Sequence, residues 1–118
     1  MDKQELEKRT KEFALRLIHF ISALPKSKVT NVLGYQVIKS GTSIGANYRE
    51  DNRAESKPDF IHKISLCEKE AFETHYWLEL FEESDTENSE ARRWLLQESG
   101  ELLAIFTSIG KTTKSRYK

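Results

Sequence analysis

The sequence predicts an all-α fold, an antiparallel up-down four-helix bundle, on three observations. Four segments repeat apolar residues at spacings of three and four, the connections between them are short, and no stretch alternates in the manner of a strand. Charged residues make up 32% and the hydrophobic set 37%, with five Gly and two Pro, the profile of helices with a wet exterior. At 118 residues the chain reads as one domain, 1–118, large enough for a core without disulfides or metal.

The first helix is expected over about 4–24. Leu6, Phe13, Leu17, Phe20 and Leu24 form its stripe, widened by Ala14, Ile18 and Ile21, and Pro25 ends it. The second, about 30–53, is expected to start at Thr30 as N-cap, with Leu33, Val37, Ser40, Ile44, Asn47 and Asp51 inward. Its middle, Ser40 to Glu50, organises the reading. Gly41 and Gly45 each cost up to about 1 kcal/mol against alanine in a helix, so both should be there for close packing.

The third helix, about 57–83, has the clearest pattern. Ser56 can cap it, Pro58 suits its first turn, and Phe60, Ile64, Cys67, Ala71, Thr74, Leu78 and Phe81 alternate spacings of four and three. Trp77 and Leu80 add a second apolar face. After the polar connection Ser84 to Ser89, a fourth helix is expected over about 90–110. It would hold Ala91, Leu95, Leu102, Ile105, Phe106 and Ile109 inward, end at Gly110, and leave a basic tail, 111–118.

Formal net charge is zero, but residues 55–90 hold eleven acidic and three basic side chains while 25–54 and 91–118 are net basic. Neutrality argues against a wholly electrostatic nucleic-acid binder. Solvated helix faces also account for such runs. Cys67 is the one cysteine, so no internal disulfide forms; on the seam it acts as a small hydrophobe. The first residues lack a signal-peptide stretch and no window is apolar enough to span a membrane, so a cytoplasmic location with no membrane contact is expected.

Chemistry is weakly signalled. A di-iron bundle needs paired Glu-x-x-His motifs; no Glu stands three residues before His19, His62 or His75, and Asp59 before His62 has no mate. The glycines at 41 and 45 lie inside a helix and make no phosphate loop. No catalytic residue, metal or cofactor is expected. A polar layer is expected from Lys39, Ser43, Asn47, Glu50, Glu70 and Glu73, since polar groups at a helix interface need partners. Tyr48, Trp77, Leu80 and Trp94, with Phe72, exceed what one seam requires and are expected at an oligomer interface. Lys26, Lys28, Arg49, Arg53, Lys111, Lys114 and Arg116 are the candidate nucleic-acid contacts, with Tyr35, Tyr48 and Tyr117 able to stack. The same residues also serve as solubilising charges and packing aromatics.

Ser43-Ile44-x-Ala46-Asn47-x-x-Glu50 resembles the signature of the 23S rRNA intervening-sequence protein family of bacterial four-helix bundles. So do Leu24-Pro25, and Phe60-x-x-Lys63 followed by Glu70-x-x-Glu73 and Trp77-Leu78, over roughly residues 12–82. The resemblance implies a bundle that assembles as a ring-shaped homopentamer. A similar protein, the accessory variability determinant of diversity-generating retroelements, binds a reverse transcriptase and nucleic acid through a basic surface. This chain departs from the pattern: Asp51-Asn52 follows Glu50 where a glycine and an aromatic are usual, and Lys39 stands where an arginine is usual. The combined expectation is a non-catalytic, self-assembling bundle that binds structured RNA or an RNA-handling protein, or else serves as a pure protein scaffold.

Overall fold

Each helix begins where the sequence offers a side-chain acceptor to its free amides. A computed structural model describes residues 1–84 and 89–116, and in it α1 spans Lys3–Ala23, α2 Lys28–Asp51, α3 Lys57–Ser84 and α4 Glu90–Arg116. Asp2 Oδ1 accepts from the Glu5 amide at 2.8 Å, Ser56 Oγ from Asp59 at 3.2 Å and Ser89 Oγ from Arg92 at 3.2 Å. For α2 the cap is Ser27, not Thr30. Ser27 Oγ accepts from the Thr30 amide at 3.1 Å while the Ser27 amide donates to Thr30 Oγ1 at 2.9 Å, so Thr30 is the reciprocal member of a capping box.

Helix ends divide into one expected and one not. Leu24 leaves α1 in extended backbone at φ −73° and ψ 145°, as a residue before proline should. Gly110, by contrast, does not end α4, which continues to Arg116. A glycine terminator works by adopting positive φ, and no described residue does so. Gly110 is buried instead, where a Cβ would meet Glu68 Oε2 at 3.5 Å and Ile64 Cγ2 at 3.6 Å. It lets α4 lie close to α3.

Cross-helix pairs run in opposite numerical order, which fixes the antiparallel arrangement. Gly34, Gly41 and Gly45 of α2 meet Ile21, Leu17 and Thr10 of α1. Ser40 meets Thr74 and the Ile44 carbonyl meets Cys67 across α2 and α3, while His75 and Glu82 of α3 meet Ser99 and Arg92 of α4. Among the described residues α1 packs on α2 and α4, and α3 on the same two, in a rod of 47 × 23 × 20 Å. The core runs its length from Leu6 to Phe81, with Phe13, Leu17, Ile44, Ile64, Leu78, Leu102 and Phe106 almost wholly enclosed.

The stripes of α2 and α3 fall where the sequence put them, except that Leu33, Asn47 and Phe60 are half-buried and Gly34, Gly41 and Tyr48 join the α2 face. In α1 Thr10 is buried and Ile18 is exposed. The largest correction is α4: Ala91 is exposed, and Arg92, Glu98, Ser99 and Thr113 point inward. Each has its partner. Arg92 Nε donates to Glu82 Oε2 at 2.7 Å, and Glu98 takes Arg9 Nε and Nη2 at 2.7 and 2.6 Å. Ser99 Oγ lies 2.8 Å from His75 Nδ1, and Thr113 donates to the Ile109 carbonyl at 2.7 Å.

Candidate assembly and nucleic-acid surfaces

The middle of α2 rests on α1 with no space to spare. A Cβ at Gly41 would overlap the Leu17 Cδ2 methyl and sit 3.5 Å from both Phe13 and Thr74; at Gly45 it would meet Thr10 Oγ1 at 3.1 Å. On the opposite side of the helix Ser40 and Thr74 share a hydrogen bond of 2.8 Å with α3. Above that pair Lys39, Ser43, Glu70 and Glu73, with Gln36 and Lys69, line a depression of about 250 Å³ between α2 and α3. Burial, and after it the charge of Glu73, holds the Glu70 carboxyl above its usual range against Lys69 and Lys39.

The six residues expected to make one polar layer are therefore divided. Lys39, Ser43, Glu70 and Glu73 share the depression, but Glu50 is exposed and reaches Lys63 Nζ at 3.3 Å, and Asn47 lies half-buried between the two groups. None of the six is fully enclosed in the single chain. Seven residues of α2 separate Ser43 from Glu50 by about two turns, roughly 10 Å along the rod, too far for one layer.

Of the expected interface residues Tyr48 is a correction. Its ring is 5% exposed and meets Phe106 edge-on at 5.5 Å, so it belongs to the core. Trp94 is half-buried between Phe13, at 6.4 Å, and the Arg16 guanidinium, 4.1 Å over its ring. Trp77 and Leu80 are half-buried on α3. Phe72 of α3, expected with them, is left in water, and so among other large apolar side chains are Val32 and Tyr35 on α2 and Tyr76 on α3, the four at 50–65% exposure.

The candidate cations separate by end. Lys26 and Lys28 lie at the α1–α2 connection, while Arg49 and Arg53 at the far end of α2 lie with Lys111, Lys114 and Arg116 at the far end of α4. The two groups are on the order of 35 Å apart, at about 1.5 Å of rise per residue. Lys3, Lys57 and Lys63, unassigned from sequence, share the second end because α1 and α3 begin there. Arg49 Nε is 3.7 Å from Glu7 Oε1. Tyr117 and Lys118 of the tail, and 85–88 of the last connection, lie outside the described residues.

Two arrangements that mimic catalytic parts are structural. His75 and Ser99 are within hydrogen-bond distance, but Ser99 is fully buried and its hydroxyl donates to the Leu96 carbonyl at 2.9 Å. Cys67 is enclosed, and burial, reinforced by Asp51, pushes its thiol up to about 12, far from a nucleophile's value. Among the described residues no group of three His, Cys, Asp or Glu side chains is placed to hold a metal, and no helix is long and apolar enough to cross a membrane.

Residues 2–108 match the profile of the 23S rRNA-intervening sequence protein family. The chain belongs to that family. A crystal structure at 1.70 Å of a protein of unknown function from the S23 ribosomal protein family of Bacteroides thetaiotaomicron VPI-5482 is similar in sequence and shape. The two share 36% identity over 94% of this chain and 99% of that one, with a TM-score of 0.83. A search of curated proteins found no match. Membership in the 23S rRNA-intervening sequence family fits the four-helix bundle of this chain.

Proposed function

We propose that this family member is a non-catalytic, cytoplasmic, self-assembling bundle, a homopentamer, whose basic end contacts structured RNA. The observation that carries the reading is the gathering of Arg49, Arg53, Lys111, Lys114 and Arg116 at one end of the rod, which repetition in a ring would concentrate. Retention of a folded RNA on the purified protein should fall at least about tenfold between about 50 and 200 mM salt if a few phosphates are neutralised. No retention at the lower salt removes the RNA reading. Light scattering should return five times the 13.7 kDa chain mass. A monomer removes the assembly.

A second reading, a protein scaffold indifferent to RNA, is favoured by the exposed apolar residues Val32, Tyr35, Phe72 and Tyr76 together with zero net charge. It expects the same mass and no RNA retention. An RNA-handling protein as the true partner would show as capture of that protein by an assembly that binds no RNA alone.

A further inference from the structure

Asp51 closes α2 in a setting that suits no carboxylate. The residue is 1% exposed, and among the described residues neither carboxyl oxygen accepts a hydrogen bond; Oδ1 of the neighbouring Asn52 is also buried and unpaired. Asp51 is the last residue of α2, at the negative end of the helix dipole. The charged groups around it come from three helices. Lys3 on α1 and Lys63 on α3 favour the ionised form, Asp59 on α3 opposes it, and the Cys67 thiol and Tyr48 phenol lie in the interior beside it. Arg116 of α4, Glu55 of the α2–α3 connection and Lys57 at the start of α3 line the same end cavity, of about 880 Å³, with Lys3, Phe60 and Thr113. His62 is exposed on the first turns of α3.

We propose that Asp51 is a proton-controlled latch: the bundle end closes around its neutral carboxyl and opens when the carboxylate forms, so that the end cavity is gated by pH. An ionised carboxyl held at 1% exposure with no protein donor among the described residues is costly enough to favour a movement that hydrates it. The movement falls to the end of α2 itself and to the segments lining the cavity beside it, the first turn of α1 and the last turns of α4. Burial first, and then Asp59, push the Asp51 carboxyl up to about 7 in the closed form. In the open form it returns to the ordinary value of about 4. The sign follows: closure is fully favoured below about pH 4, is lost progressively as pH rises toward 7, and changes no further above it.

Amide spectra of the full chain between about pH 5 and 9 test the latch. Signals of Lys3, Phe60 and Thr113 should move together with one midpoint near neutrality, and the Thr113 amide should lose protection about tenfold per pH unit up to the midpoint, beyond the intrinsic exchange rate. The transition should vanish in Asp51→Asn and persist in His62→Gln. Asp59→Asn should lower the midpoint and Lys3→Gln should raise it, so the test stands even where Asp51→Asn folds poorly. A transition that survives Asp51→Asn, no shared transition in the native chain, or midpoints unmoved by both flanking variants would overturn the proposal.

Discussion

Helix α2 is two different things along its length. At Gly41 and Gly45 it is pressed on α1 so closely that a methyl group would have to displace the Leu17 Cδ2 methyl or push on Thr10, and its hydroxyls and carbonyls meet partners on α3. Two to three turns later, at Asp51 and Asn52, three buried acceptor atoms have no partner among the described residues, beside a cavity. The contrast teaches where this fold is rigid and where it has freedom. Close-packed interiors resist change of volume by a single methylene, whereas an unsatisfied polar end gains from any motion that lets water in.

The sharpest way to break the contrast is to spoil the packed half. Gly41→Val should lower stability by roughly 2–3 kcal/mol in urea unfolding, because the β-branched side chain must displace Leu17. Combining it with Leu17→Ala should cost clearly less than the sum of the two changes, the mark of a shared contact. Next comes Arg9→Ala, at about 2 kcal/mol, since Glu98 has an 11% exposed side chain and would lose two charged hydrogen bonds.

Smaller effects sharpen the picture. Thr74→Val should cost about 1 kcal/mol by removing the donor to the buried Ser40 Oγ, which keeps only its own bond to the Val37 carbonyl, and adding Ser40→Ala should recover part of it. Glu50→Gln should change stability by less than about 0.5 kcal/mol, because its bridge to Lys63 is in water, with a 66% exposed Glu50 side chain. A cost as large as that of Arg9→Ala would mean that Glu50 is enclosed in solution, as by a second copy of the chain.

The helices most legible in the sequence were those whose inward residues are apolar or small. Ile64, Cys67, Ala71, Leu78 and Phe81 announce α3, and the two glycines announce that α2 is approached closely. Helix α4 was read by its apolar residues alone: Leu95, Leu102 and Phe106 are buried as expected, but Arg92, Glu98 and Ser99 join them because Glu82, Arg9 and His75 come to meet them from other helices. Nothing local to α4 reveals those partners. Tyr48 was expected at an oligomer interface, yet its ring fills the space opposite Phe106 within the single chain. The candidate cations fall into two groups at opposite ends of the rod, which only the antiparallel order of the helices reveals. Asp51 was read as inward, but its lack of a partner is a property of three helices together.

Hydrogen exchange read residue by residue along α2, corrected for intrinsic rate and repeated at about pH 5 and 8, tests the contrast most directly. We expect the amides of 40–48 to exchange only through global unfolding at both pH values. Those of 49–53 should exchange through a local opening that is larger at the higher pH. Uniform protection from one end of the helix to the other, unchanged by pH, would contradict it.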